Sequence, residues 1–235
     1  MRYTLIKMDM HLHTNFSDGE NTPFEMTKMA ISLGYNVISF MEHVWYTSEW
    51  LDEYIYVINE LKARFLSKIR IFCGVESKVL DHNGNIDFNE KYRGQIDIVL
   101  ASIHKLPLGD NNYVRFSKIK NNPQYYHNIW SNCIKNALEN PLVDGIAHVF
   151  NIVPYFNDIW SEEDEKKLIN YFCSNNKLVE LNVKYYNDTL TDFWDADGLK
   201  VIFSSDSHNL EQMSLFEKKI VLEHIKHNKN KFIIN

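Results

Sequence analysis

Ten histidines are spread along the 235 residues, and their spacing carries the first chemical content. His11-x-His13 and Asp206-x-His208 each put two metal-binding side chains at positions i and i+2, which face the same side of an extended chain. His43, His104 and His148 stand singly near the ends of short apolar runs, and Glu76 ends another such run. Asp18 follows in the loop Asn15-Phe-Ser-Asp-Gly, close enough to fold back over the same place. Imidazole with carboxylate suits zinc, manganese or iron and requires no thiolate. Taken singly, a strand-end histidine is more often a hydrogen-bonded structural residue, an HxH pair is a weak motif, and an Asp in such a loop is often only a turn residue. Eight such groups at one predicted edge, with Asp18 beside them, predict a metal centre. Of the remaining histidines, His82 sits in a turn within reach of that edge. His127 lies in a predicted helix, and His224 and His227 are expected to be solvated.

These groups reach one centre only if the elements carrying them end together. Seven apolar runs read as buried strands: Leu5–Met10, Asn36–Phe40, Ile69–Val75, Ile96–Ile103, Val143–Ala147, Leu178–Asn182 and Lys200–Ser204. Helical patterns fill most gaps. Thr22-Pro23-Phe24-Glu25 is a capping box with Pro at the first helical position, and Gly34 is the expected stop. Helices are also predicted over Glu49–Phe65, from Asn122-Pro123 to about Asn140, after Ser161-Glu-Glu-Asp, and over Leu210–Lys226. Leu80–Phe88 reads as a turn or hairpin, and Leu106–Asn121 and Lys184–Asp197 as variable loops. Strand and helix in alternation predict an α/β fold with a parallel sheet, either a barrel one strand short of eight or a doubly wound sheet. In both, sites are built at the C-terminal edge of the strands. No repeat, low-complexity tract or linker divides the chain, so a single domain over 1–235 is expected.

Composition narrows the partners. A formal charge of −6 and only five Arg predict no nucleic-acid track and no anionic membrane surface. Cys73, Cys133 and Cys173 form no CxxC pair, which favours a reduced, cytoplasmic setting over a disulfide framework or zinc ribbon. The N-terminal segment lacks a signal-peptide apolar core, and no run approaches the roughly 18 apolar residues of a membrane span.

The ordered set Asp9-Met-His-Leu-His13, Ser17-Asp-Gly19, Glu42-His43, Gly74-Val-Glu76, Ser102-Ile-His104, His148 and Ser205-Asp-Ser-His208 resembles the PHP (polymerase and histidinol phosphatase) metallophosphoesterase superfamily. The likeness runs from about residue 9 to 208. It implies a distorted (β/α)7 barrel and three divalent metals. His11, His13, Glu76 and Asp206 would hold the first. Glu76 would bridge to a second completed by His104 and His148, and Asp18, His43 and His208 would hold the third. The Glu42-His43 pair is similar to the histidinol-phosphatase branch. Glu180-Leu-Asn182 resembles the family's E-x-N segment, but Val-Lys-Tyr-Tyr follows where that branch often carries a phosphate-binding Arg.

The resulting expectation is a phosphatase for a small, histidinol-phosphate-like metabolite. Hydrolysis would be a direct in-line attack by a hydroxide bridging two metals, with Glu76, Asp206 and His208 read as catalytic. Lys105, Arg115 and Lys184 are the candidate phosphate binders, with Lys78 behind them; Arg115 stands out because Arg suits bidentate phosphate contact. Trp45-Tyr46 and Tyr185-Tyr186 could shape the pocket wall, although such residues are more often packing groups, and Glu42 is read as a support behind the ligands or an ion-pair partner rather than a ligand. Two other functions compete: a nuclease or phosphodiesterase, and a metal-binding regulatory module without turnover.

Overall fold

The computed structural model describes residues 6–110, 112–156, 159–185, 191–194 and 196–226. The chain runs through β1 (Met8–Leu12), α1 (Pro23–Ser32), β2 (Val37–Val44), α2 (Leu51–Phe65), β3 (Arg70–Lys78) and β4 (Ile98–Ser102). Then come β5 (Leu106–Gly109), β6 (Asn112–Val114), α3 (Pro123–Glu139), β7 (Gly145–Ile146), α4 (Glu162–Asn175), β8 (Leu178–Asn182), α5 (Thr191–Trp194), β9 (Lys200–Ser204) and α6 (Leu210–Lys226). Seven strands make one parallel sheet in the order β1-β2-β3-β4-β7-β8-β9. Each strand joins beside its predecessor. That is the progression of a (β/α) barrel; a doubly wound sheet reverses direction partway.

The last strand returns to the first. Leu12 bridges Ser207, and the His13 N–H donates to the Ser207 carbonyl at 3.0 Å. Below that bridge the buried Asp9 carboxylate accepts from the Ser205 N–H at 2.9 Å and from Ser205 Oγ at 2.6 Å. A side chain thus supplies part of the seam that backbone ladders supply elsewhere, and the barrel is nearly closed. Burial pushes the Asp9 carboxyl up to about 7, against the downward pull of the Ser205 bonds. Alternation along β1 sends Asp9 and His11 to one side and Met8, Met10 and Leu12 to the other, into the apolar core.

The helices start where their caps require. Thr22 and Glu25 bond reciprocally ahead of α1, Ser161 and Asp164 do the same ahead of α4, and the Asn122 side chain accepts from the Tyr125 N–H ahead of α3. Gly34, at φ +75°, follows α1. The turn after β3 closes on an antiparallel bridge between Val79 and Ile86.

Several boundaries differ from expectation. β2 and β3 continue to Val44 and Lys78, so His43 and Glu76 lie inside their strands, as register partners. The fifth sheet strand shrinks to Gly145–Ile146; a Cβ on Gly145 would stand 2.4 Å from the Leu178 carbonyl oxygen, which shows how tightly β8 approaches. The expected loop 106–121 holds the β5–β6 hairpin and a 3-10 turn over Phe116–Asn121. Leu5, the predicted start of the first strand, lies outside the described residues. No helix among the described residues is long and apolar enough to cross a membrane.

Candidate metal centre

The C-terminal ends of the sheet strands and the loops after them bring the nine predicted ligands to one place. Glu76, on β3, is at the middle. One carboxylate oxygen lies 2.8 Å from His148 Nε2 and 3.1 Å from His104 Nε2; the other lies 2.8 Å from His43 Nδ1 and 3.5 Å from His11 Nε2. His11 and His13 face each other through their Nε2 atoms at 3.0 Å, and Asp206 Oδ1 is 3.2 Å from His13 Nε2. Asp18 closes the outer side, 3.5 Å from His43 Nε2 and 3.4 Å from His208 Nε2. Three sets have donor atoms within 4.8 Å of one another: His11, His13 and Glu76; Glu76, His104 and His148; and His13, Asp18, His43 and His208.

The backbone is bent to achieve this. His148 and Asp206 adopt left-handed conformations, with φ of 36° and 53°, where a side chain other than glycine is strained. The loop bearing Asp18 is held by Glu42, whose carboxylate accepts from the Thr14 N–H and hydroxyl and from Ser17 Oγ. Gly19 permits its return, since a Cβ there would sit 2.6 Å from the His13 carbonyl oxygen. The Glu20 N–H then donates to the His208 carbonyl at 2.8 Å, tying the two ligand loops together.

Sequence reasoning passed over Glu180 as a working part of the site. It is fully buried on β8, with Oε1 3.0 Å from His11 Nδ1 and Oε2 accepting from the His148 N–H at 2.5 Å; Asn182 and Ser204 donate to Oε1 as well. The clue was its place in the E-x-N segment two residues before Asn182. Asn151 is a second omission, its side-chain amide 3.0 Å from His148 Nδ1.

The charge balance is that of a cation site. Burial works to raise Glu76, but bonds from His104, His11 and His148 outweigh it and hold the carboxyl well below the usual range. Burial likewise works to lower His11, and the Glu180 and Glu76 carboxylates outweigh it, raising this imidazole. His13 goes the other way. Burial pushes it down to about 4, with the positive charge of His11 adding to the depression against the pull of Asp206. His13 Nδ1 is buried without a hydrogen bond among the described residues. An orphaned imidazole nitrogen inside a cage of imidazoles and carboxylates fits a divalent cation.

A cavity of about 260 Å³ opens beside His43, Glu76 and His104, with Trp45, Lys78, Lys105 and Tyr113 on its walls. Trp45 is 48% exposed, so of the two readings, packing and pocket wall, it takes the second. Tyr46, 62% exposed, is not packed either. Lys184 contacts Asp206 through both the backbone carbonyl and a carboxylate oxygen. Arg115 is exposed at the start of the 3-10 turn and does not line the cavity. His82 is exposed, its carbonyl taken by Asn136 on α3, and belongs to none of the three donor sets. Tyr185 packs edge-on against His148, whereas Tyr186, His227 and the side chain of His224 lie outside the described residues.

The barrel with its histidine-carboxylate cage at the strand ends defines a class, and the comparisons name it. The family model for the PHP domain matches residues 9–184, and the chain belongs to the PHP domain family. It is 28% identical over 219 residues to the DNA polymerase/3'-5' exonuclease PolX of Bacillus subtilis, a match over 88% of this chain; the chain spans about a third (35%) of that relative's length. It is 26% identical to a probable phosphatase of Acetivibrio thermocellus, over 90% of this chain and 83% of the relative. The histidinol-phosphatase of Lactococcus lactis is also 26% identical, over 86% of this chain and 84% of the relative. Among solved structures, the Lactococcus lactis histidinol phosphate phosphatase in complex with zinc, L-histidinol and phosphate superposes with a TM-score of 0.69. That match is 22% identical and covers 97% of this chain and 96% of the other. A putative histidinol phosphatase from Listeria monocytogenes gives a TM-score of 0.72 at 18% identity, over 91% and 99% of the two chains.

Proposed function

We propose that the chain is a metal-dependent phosphomonoesterase for a small phosphorylated metabolite. Three divalent cations would be held by His11, His13, Glu76 and Asp206; by Glu76, His104 and His148; and by Asp18, His43 and His208. The observation that carries this reading is the position of Glu76, one buried carboxylate within 3.5 Å of four imidazoles. A bridging carboxylate so surrounded is the natural centre of a multinuclear site. The donor set suits zinc, manganese or iron, and the zinc in the Lactococcus lactis neighbour supports the first. When bound, such cations would supply an acidified water and offset charge on the phosphoryl oxygens.

The chain's own residues orient the parts. Glu180 and Asn151 fix the rings of His11 and His148, and Glu42 holds the Asp18 loop. Lys184, anchored on the metal-side Asp206, is the cation assigned to receive phosphate; Lys105 stands at the cavity rim and Arg115 outside the cavity. In the reaction a bond forms between phosphorus and a water oxygen, the bond from phosphorus to the leaving oxygen breaks, and a proton passes to the departing alcohol. Asp206 and His208, 3.8 Å apart, are assigned to that proton's path. Cys73, Cys133 and Cys173 are thiols without a disulfide among the described residues, which suits a cytoplasmic setting.

The relation to PolX keeps a nuclease reading in view. A cavity of about 260 Å³ and a formal charge of −6 favour a small substrate instead. The test is a panel of phosphorylated metabolites, histidinol phosphate among them, given to protein whose metal content has been measured, with single-stranded DNA in parallel. Release of phosphate from one or more small esters and none from DNA is expected; the reverse pattern would overturn the reading.

A further inference from the structure

We infer that the cavity beside the cage is the seat of the leaving group, and that it selects a flat group carrying an anion, of the aryl carboxylate kind. This rests on the phosphatase reading above. The cavity shares His43, Glu76 and His104 with the cage, so an ester whose phosphoryl group lies among those residues has its alcohol portion in this space. Its volume, about 260 Å³, is below the roughly 300–1,000 Å³ of drug-sized ligand sites, which fits a small ring and little more.

Two aromatic residues line it, on anchored backbone. Trp45 leaves the end of β2 on a loop pinned twice: its own N–H donates to Ser48 Oγ at 3.0 Å, and the Tyr46 N–H donates to Asp87 at 2.9 Å. Tyr113 comes from β6, and its hydroxyl donates to the Leu80 carbonyl at 3.3 Å, locking the β5–β6 hairpin over the end of β3. The ring is therefore held as a wall, with its polar end already satisfied. A ring anchored as Tyr113 is costs little entropy to use as a contact surface.

The charges give the sign. Lys78 reaches the cavity from β3, 3.5 Å from Asp87 and 5.2 Å above the Tyr113 ring. Lys105 lies just beyond the end of the neighbouring β4, exposed, with no carboxylate partner among the described residues. Glu76 is the only carboxylate lining this space among the described residues, and its oxygens are occupied by imidazoles. A leaving group with an amine would meet two ammonium groups and no free counter-charge, whereas a carboxylate would meet one unpaired lysine and one half-paired.

Metal-loaded protein is to be compared on 4-carboxyphenyl, 4-carbamoylphenyl and 4-(aminomethyl)phenyl phosphate. The expected kcat/KM is roughly fivefold higher for the carboxylate than for the carboxamide, the order expected for one partly exposed ion pair, with the amine poorest. The carboxamide phenol is the better leaving group, so intrinsic reactivity favours the opposite order. The carboxylate-to-carboxamide ratio should fall towards one in Lys105→Ala and in Lys78→Ala and persist in Lys105→Arg. Equal rates on the three esters, a preference for the amine, or an unchanged ratio in both alanine variants would overturn the inference. Quenching of tryptophan fluorescence by 4-hydroxybenzoate reads the subsite without turnover. Saturable quenching, lost in Trp45→Phe and weakened in Lys105→Ala, supports the subsite even if no ester is hydrolysed and the phosphatase reading fails. Its absence overturns the subsite alone.

Discussion

Glu180 Oε1 lies 3.0 Å from His11 Nδ1, both residues wholly buried. That contact assigns the proton of His11 to Nδ1 and turns Nε2 towards Glu76 and Asp206. Glu180→Gln should therefore keep the fold while weakening metal binding by about 10- to 100-fold, the usual effect of losing a carboxylate behind a metal-bound histidine. Competition with a chelator followed by mass-spectrometric metal analysis measures it. Unchanged affinity would remove Glu180 from the site.

Asp9 predicts a stability effect. Its carboxylate replaces backbone pairing between β1 and β9 by accepting from Ser205 twice. Asp9→Ala leaves a buried N–H and hydroxyl without that acceptor and should cost about 2 kcal/mol or more. Urea denaturation of wild type and variant, each loaded with metal, gives the difference. A loss below about 0.5 kcal/mol, the range of an ordinary surface substitution, would contradict the assigned seam.

His127 predicts a pH effect away from the cage. It is buried on α3 against Phe156 and Trp160, 3.5 Å from Asp164. Burial lowers its pKa; Asp164 pulls up against this, and Lys167 adds to the depression. The folded value lies below the unfolded 6.5, so between the two the unfolded chain binds a proton that the folded chain does not. Stability is intact above about 6.5 and declines as pH falls below it. His127→Phe should flatten the dependence of stability on pH over that window by up to about one proton. Chemical denaturation at a series of pH values checks it, and parallel slopes for the two proteins would refute it.

Burial also sets the thiols apart. Cys73 and Cys133 are pushed up to about 12, which suppresses the reactive thiolate near pH 8. Cys173 is partly exposed. Iodoacetamide at pH 8 should modify Cys173 alone in the native protein and all three in denaturant, as read by intact mass. Rapid labelling of Cys133 in the native state would contradict the packing of α3.

Much of this was legible in the residues, for physical reasons that also mark where legibility ended. His11-x-His13 and Asp206-x-His208 stand out because extended chain repeats every two residues and because imidazoles at strand ends are conspicuous. The caps at Thr22, Asn122 and Ser161 are local chemistry. Asp9 and Glu180 act across the barrel, on Ser205 and on His11 and His148, and although each stands in a quoted motif, local spacing does not say which distant residue it bonds. The β5–β6 hairpin was missed because strands of four and three residues are too short to show alternation. For Trp45 the residue type left packing and pocket wall both open; the turn held by Ser48 and Asp87 puts it on the cavity wall.

Glu76, as the hub of a catalytic metal cluster, is tested by Glu76→Gln, assayed on 4-nitrophenyl phosphate with metal content measured on the same samples and folding checked by circular dichroism. The variant should keep its fold, lose bound metal and turn over more slowly by about 10² or more. A variant that hydrolyses the ester as fast as wild type, or fully metal-loaded wild type that hydrolyses no phosphomonoester, would contradict it.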